Sequence, residues 1–175
     1  MRNFLLGIVF TLVIIVVAGL LAAQTGYVDF RADQQPSALE AKVAMKAVDA
    51  STDRHASKTS NPIPVNEENL VAGAKIYLNN CAGCHGEPSN PEGEFGRSFN
   101  PQVPQFFKYP PDMSDNENFY VVQHGIRWTG MPAWDHTLST AQTWEVVTFL
   151  SAIGKLPPAA QKVFEAPSAP ANSPN

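Results

Sequence analysis

The sequence predicts an all-α protein: one N-terminal membrane-spanning helix followed by a small helical domain. Two observations predict this class. An uncharged apolar stretch runs from Phe4 to Ala23, and three later segments repeat apolar residues at helical spacing, with no convincing alternating strand pattern. The chain has 175 residues, of which 44% are hydrophobic, and a net charge of −4. That charge argues against a nucleic-acid binder that relies on a basic surface.

The apolar stretch is long enough to cross a bilayer. Residues 4–23 would rise about 30 Å as a helix, which matches the hydrocarbon thickness. A cleaved signal peptide is the alternative, but a cut after Ala23 or Ala22 would place Leu21 or Leu20 where a small residue is needed. We therefore predict a retained anchor over residues 1–23. Arg2 favours a cytoplasmic N-terminus, with the rest of the chain outside the inner membrane.

Three helices are predicted in a compact domain over residues 66–156. Each begins at a capping signal and continues as an apolar stripe. The predicted starts are Asn66 before a helix over Glu67–Asn79, Ser114 paired with Glu117, and Ser139 paired with Gln142. Residues 87–112 form a long loop with six prolines. Such a loop is acceptable in a compact domain if it wraps something other than protein.

The flanking segments differ in composition from this domain. Residues 24–65 are polar, rich in alanine and balanced in charge, and they read as a linker. Within them, Ser37 and Glu40 fit a capping box, which predicts a helix near 38–50. That helix is interpreted as a solvated spacer or as a docking element for a membrane partner. Residues 157–175 are rich in Pro, Ala and Ser and are predicted to be disordered.

The cysteines carry the clearest chemical signal. Cys81, Cys84 and His85 form a CxxCH motif, the attachment signature of c-type haem. The two thiols add to the haem vinyl groups as thioethers, and the histidine binds the iron as an axial ligand. A thioredoxin-like dithiol needs a βαβ setting, and a zinc site needs further Cys or His ligands; neither is visible. One motif and two cysteines predict one covalent haem c.

The second iron ligand is predicted downstream. Gly130-Met131-Pro132 offers a soft thioether in a loop that the flanking glycine and proline shape. A methionine ligand also raises the reduction potential. Met113 is the other methionine candidate, and His124, at a predicted helix end, is the weaker histidine alternative. His85 and Met131 are therefore predicted as the axial pair.

Three segments together resemble a known family. CAGCHG, GIRWTGMPAW and LSTAQTWEVVTFL are similar to class I, monohaem c-type cytochromes of bacteria, over about residues 66–156. The resemblance implies a cytochrome c fold in which the first and last domain helices cross at Gly73 and Tyr77 against Phe149-Leu150. It also implies that a loop proline carbonyl accepts the proton of His85. The six loop prolines leave that choice open: Pro88, Pro91, Pro101, Pro104, Pro110 and Pro111.

Three further residues are candidates at the haem edge. The resemblance implies that Arg127 pairs with a haem propionate, and Trp128 and Trp134 are candidates for packing on the haem rim. A solvated arginine and ordinary core tryptophans are the alternatives.

The resulting expectation is an electron carrier rather than an enzyme. Two protein ligands leave no open position on the iron, and no acid, base and nucleophile cluster around the motifs. The predicted partners are redox proteins at the membrane: an oxidase, a quinol-oxidising complex or a photosynthetic reaction centre. The alternatives are a haem enzyme or gas sensor in which Met131 dissociates, and a fixed subunit of a larger complex. The domain holds ten acidic and five basic side chains, which implies a basic or apolar partner surface.

Overall fold

Seven helices make up the part of the chain that the structure describes. A computed structural model of the protein describes residues 1–166. Within that range there is no β-strand, only an isolated bridge between Glu87 and Asn90. The predicted all-α class is confirmed. The helices are α1 (Arg2–Gln24), α2 (Ala38–His55), α3 (Glu67–Asn80), α4 (Ala82–His85), α5 (Asp115–His124), α6 (Thr140–Ala152) and α7 (Pro158–Phe164).

The chain forms two compact units, and the first contains α1. This unit runs from Met1 to Arg31, and the second begins at Ala32. Helix α1 contains the whole predicted apolar stretch and buries none of its side chains. Among the described residues it is the one helix long and apolar enough to cross a membrane, a test that a signal sequence also passes.

The three predicted domain helices begin where the capping signals placed them. The Asn66 side chain accepts a hydrogen bond from the backbone N–H of Asn69 at the start of α3. Helices α5 and α6 begin with complete capping boxes, formed by Ser114 with Glu117 and by Ser139 with Gln142. These caps satisfy backbone N–H groups that have no partner inside a helix, so local sequence alone determines where each helix begins.

Helices α3 and α6 form the centre of the core, where their backbones nearly touch. A Cβ atom added to Gly73 would lie 2.7 Å from the Cβ of Phe149 and closer still to the carbonyl oxygen of Glu145. Only glycine permits that approach. One turn later, the rings of Tyr77 and Phe149 lie 5.3 Å apart, and both residues are fully buried. This is the crossing that the resemblance implied.

The segment after α6 is ordered where disorder was predicted. Helix α7 has Pro158 in its first turn, a position where proline is favoured. Its Phe164 is buried and packs edge-on against Tyr77 at 5.7 Å and Phe149 at 5.2 Å. The prediction was wrong for residues 158–164. It rested on the Pro-, Ala- and Ser-rich composition, which gives no sign that Ala160 and Phe164, one helical turn apart, are buried. Residues 167–175 lie outside the described part of the chain.

Helix α2 and the connector after it pack on the domain. The helix continues past the predicted end at residue 50, and it buries Thr52 and the following Ala56. His55 stacks on Tyr120 of α5 with ring centroids 6.3 Å apart. Asn61 then donates hydrogen bonds of 2.9 Å to the carboxylate of Asp115 and to the hydroxyl of Thr148. Only the C-terminal end of α2 packs in this way, because residues 38–51 are almost all exposed. The choice between a solvated spacer and a docking element stays open.

Candidate haem site

The attachment motif occupies one helical turn. Cys81 ends α3 and begins α4, and the N–H groups of Cys84 and His85 both donate to its carbonyl oxygen, at 3.0 and 2.8 Å. Residues three and four positions apart lie on the same side of a helix, so the turn gathers both thiols and the imidazole. Both cysteines are free thiols and half-buried. The motif therefore has the local geometry to hold one group at three points.

The thiols are not those of a reactive dithiol. Burial, with a smaller contribution from the neighbouring Cys84, raises the pKa of Cys81 to about 12. Burial also raises the pKa of Cys84. Redox-active cysteine pairs have lowered pKa values, because the thiolate is the nucleophile. The raised pKa values of Cys81 and Cys84 are the opposite of that condition, which argues further against a thioredoxin-like role.

The His85 ring is held in one orientation by a hydrogen bond from one of its two nitrogens. The ring is buried, and Nδ1 lies 2.9 Å from the carbonyl oxygen of Pro104. A carbonyl only accepts, so Nδ1 carries the proton and Nε2 keeps its lone pair. Burial lowers the pKa of His85, with the Pro104 hydrogen bond opposing in part. The lowered pKa favours the neutral imidazole, which is the form that binds a metal. Among the six loop prolines, Pro104 is the one whose carbonyl accepts the hydrogen bond from His85 Nδ1.

The long loop closes over the attachment turn. The Phe95 N–H donates to the Gly83 carbonyl at 2.9 Å, and the Gln105 side-chain amide donates to the Cys84 carbonyl at 3.1 Å. Phe106 stacks on the His85 ring with centroids 4.3 Å apart and planes 9° from parallel. The Tyr77 hydroxyl donates to the Gly86 carbonyl at 2.7 Å from the other side. Loop and core together fix the turn. That residues 87–112 also wrap a haem stays a prediction.

Met131 sits at the end of a tight, hydrogen-bonded turn. The Ile126 N–H donates to the Met131 carbonyl at 3.1 Å, while the Met131 N–H donates to the hydroxyl of Thr129, also at 3.1 Å. That hydroxyl donates in turn to the Ile126 carbonyl at 2.8 Å. A Cβ added to Gly130 would meet the ring of Phe99, so the long loop packs directly against this turn. The Met131 side chain is half-buried against the core.

The three haem-edge candidates have different surroundings. Trp128 is 91% exposed, with a backbone φ of 61°. The guanidinium carbon of Arg127 lies 6.0 Å from the centroid of its ring. Trp134 is half-buried against the core, and its backbone N–H donates to the Val122 carbonyl at 3.2 Å. The histidine alternative for ligation, His124, is exposed beside Tyr120 at 4.7 Å between ring centroids.

Comparison with known proteins gives one family match, and it covers nearly all of the three domain helices. A family model described as "Cytochrome C oxidase, cbb3-type, subunit III" matches residues 68–150. This match supports a c-type cytochrome. Among curated proteins, none matches the chain. A solved chain of the reducing HAO-like protein complex of Kuenenia stuttgartiensis is 20% identical, with a TM-score of 0.45. The alignment covers 55% of this chain and 50% of that one, so the match spans about half the length of that relative.

The donor set of residues 81–85 fits a covalent haem c, which the family match implies. Two thiols on one turn match the two vinyl groups, and an imidazole whose Nδ1 donates to Pro104 leaves Nε2 for an axial position. Sequence reasoning found these residues but missed Gln105 and Phe106, which support the turn and the imidazole. Neither lies at a recognisable spacing from the motif, so no local signal marked them.

Proposed function

We propose that the protein is a membrane-tethered monohaem c-type cytochrome that passes one electron at a time between redox partners. The family match supports electron transfer by a cytochrome. A single CxxCH motif and only two cysteines in the sequence support one haem, attached at Cys81 and Cys84. The haem supplies an iron that changes oxidation state by one electron. The chain's own residues attach it, set its ligands and exclude water.

We assign His85 and Met131 as the axial ligands. For His85 the main support is the hydrogen bond from its Nδ1 to the Pro104 carbonyl. This bond leaves the Nε2 lone pair of a buried imidazole available to bind iron. For Met131 the support is its rigid turn and the contact of that turn, through Gly130, with the loop that covers His85. Arg127, Trp128 and Trp134 remain candidates for the haem edge.

The proposed location is the inner membrane. Helix α1 would cross once with its N-terminus in the cytoplasm, and the haem domain would face the periplasm or another extracytoplasmic space. The partners would be an oxidase, a quinol-oxidising complex or a photosynthetic reaction centre. A docking face with basic side chains would suit the acidic excess of residues 66–156.

Replacing the sulfur ligand tests this assignment. We expect Met131→Ala to abolish the near-infrared band of methionine-ligated ferric haem and to lower the reduction potential, because the soft thioether favours ferrous iron. The haem should stay attached, as the thioethers are untouched. Met113→Ala is the matched control, since Met113 precedes the α5 cap and should leave the band in place. Persistence of the band in Met131→Ala would overturn the assignment.

A second candidate is a fixed subunit of a larger membrane complex. The family model that matches residues 68–150 carries the description of an oxidase subunit, which favours this arrangement. The iron ligands would be the same, and only the partner would differ. Purification from membranes in mild detergent separates the two: a subunit travels with stoichiometric partner chains, whereas a tethered carrier elutes alone.

A further inference from the structure

The apolar helix ends in a closed cap rather than in an open chain. Gly26 adopts φ +75°, and the N–H of Tyr27 reaches back to the Ala22 carbonyl at 3.1 Å. This six-to-one hydrogen bond after a left-handed glycine is the Schellman arrangement. The Thr25 N–H and hydroxyl both donate to the Leu21 carbonyl, at 2.9 and 2.7 Å. The carbonyls of Leu21 and Ala22 are therefore satisfied within the chain.

The residues just beyond the cap combine exposed aromatic rings with a local ion pair. Tyr27 is 89% exposed and Phe30 is 81% exposed. Between and beside them, the Arg31 guanidinium lies 3.0 Å from the Asp29 carboxylate. All these residues belong to the compact unit Met1–Arg31, so they cluster with α1 itself. Apolar rings next to charged groups suit a boundary between hydrocarbon and water.

We propose that residues 25–31 form an interfacial anchor seated among the lipid headgroups at one end of α1. The 23 residues of α1 span about 35 Å, enough for the hydrocarbon layer. In lipid, every backbone carbonyl needs a partner, and the Thr25–Gly26 cap provides partners for the carbonyls of Leu21 and Ala22. The carbonyls that follow would then lie at the headgroup level, where water can reach them. Tyr27 and Phe30 then lie where aromatic belts occur. The proposal rests on the membrane anchor of the proposed function and adds the position of its boundary.

The same cap bears on processing of the N-terminus. A cut after Ala22 or Ala23 would fall inside the hydrogen-bonded end of α1. Proteolysis favours exposed chain whose backbone hydrogen bonds are free. Because the cap uses the Ala22 carbonyl and both donors of Thr25, a cut at this point would have to break these hydrogen bonds, and we expect the anchor to stay on the mature protein.

Depth measurement on the full, haem-loaded chain tests the proposal. A spin label at Val28→Cys, in vesicles of phosphatidylethanolamine and phosphatidylglycerol, should collide more with oxygen than with a water-soluble nickel chelate. A label at Gln35→Cys, beyond the anchor, should show the reverse. Adding Tyr27→Ser and Phe30→Ser should move the Val28 label toward water, while the label at Gln35 does not change.

Two outcomes would overturn the anchor. One is a Val28 label as accessible to the nickel chelate as the Gln35 label, or unmoved by the serine substitutions. The other is an intact mass that places the mature N-terminus at or near Gln24. The haem spectrum is read on the same samples, and the parent chain without an added cysteine corrects for any chains that lack haem and so keep the Cys81 and Cys84 thiols. A lost spectrum in the parent chain contradicts the proposed function, whereas label depth and intact mass decide the anchor.

Discussion

At the residue scale, Trp128 has the least common backbone conformation in the cytochrome domain. Among the described residues outside glycine, it is the one with a positive φ, at 61°. A side chain in that region costs about 1 kcal/mol or more. The strain persists because the hydrogen bonds among Ile126, Thr129 and Met131 fix the turn on either side. The turn that presents the proposed sulfur ligand therefore stores backbone strain.

Glycine in place of Trp128 should relieve the backbone strain of the turn. We expect Trp128→Gly to be about 1 kcal/mol more stable than Trp128→Ala, because alanine keeps the left-handed penalty and glycine does not. Both variants lose the contact with Arg127, so their difference isolates the backbone. Chemical denaturation of the two proteins measures it. Equal stabilities would show that the turn relaxes when the tryptophan is removed.

The candidate site was predictable where its chemistry is local in sequence. The CxxCH spacing marks Cys81, Cys84 and His85, which share one turn. Met131 was marked as a candidate by the glycine and proline beside it. The choice of Pro104 was not predictable, because it depends on how a loop with six prolines folds back over nineteen residues. Whether Met131 binds the iron stays a prediction.

At the element scale, the crossing of α3 and α6 depends on a single absent methyl group. We expect Gly73→Ala to destabilise the domain by about 1–3 kcal/mol, because the new Cβ meets the backbone of Glu145 and the Cβ of Phe149, which have no room to move. Thermal unfolding of the haem-loaded protein measures the loss. Gly154→Ala is the control, since its Cβ would be 3.7 Å from Pro110 and in ordinary contact. Equal losses in both variants would contradict the close crossing.

Helix α7 should contribute to stability through one ring. Phe164→Ala should cost about 3 kcal/mol or more, because it removes a buried ring that packs on Tyr77 and Phe149 and leaves a cavity at the crossing. Urea unfolding gives the value, with the exposed Lys162→Ala as the control. A loss below the control's would mean that α7 does not stay docked in solution.

The elements that sequence reasoning found are those with their own local signals. Helices α3, α5 and α6 each carry a cap and several apolar turns, and all three were located. Helix α7 is seven residues long and has too few turns to show a period. The packing of α2 was missed because its buried face is formed by small residues, Thr52 and Ala56, which read as solvated in the sequence.

At the scale of the whole molecule, charge should govern the encounter with partners. The domain's acidic excess over residues 66–156 predicts attraction to a basic face. We expect haem re-reduction in native membranes to slow as sodium chloride rises, because the screening length falls to about 10 Å at 0.1 M. Stopped-flow absorbance measures the rate, and an uncharged osmolyte is the control. A rate independent of salt would contradict docking guided by charge and would fit an apolar docking face or a permanently docked domain.

The hydrogen bonds of Asn61 decide how a soluble form of the protein should be cut for work on electrodes. Asn61 joins the incoming chain to Asp115 on α5 and Thr148 on α6, and α2 covers part of α5 just before it. A fragment trimmed to Asn66, where the family resemblance begins, would strip these partners away. A fragment from Ala32 to Ala166 keeps them, along with Phe164, and removes the apolar helix. A soluble fragment for voltammetry should therefore begin at Ala32, well before Asn66, the start that sequence similarity alone would suggest.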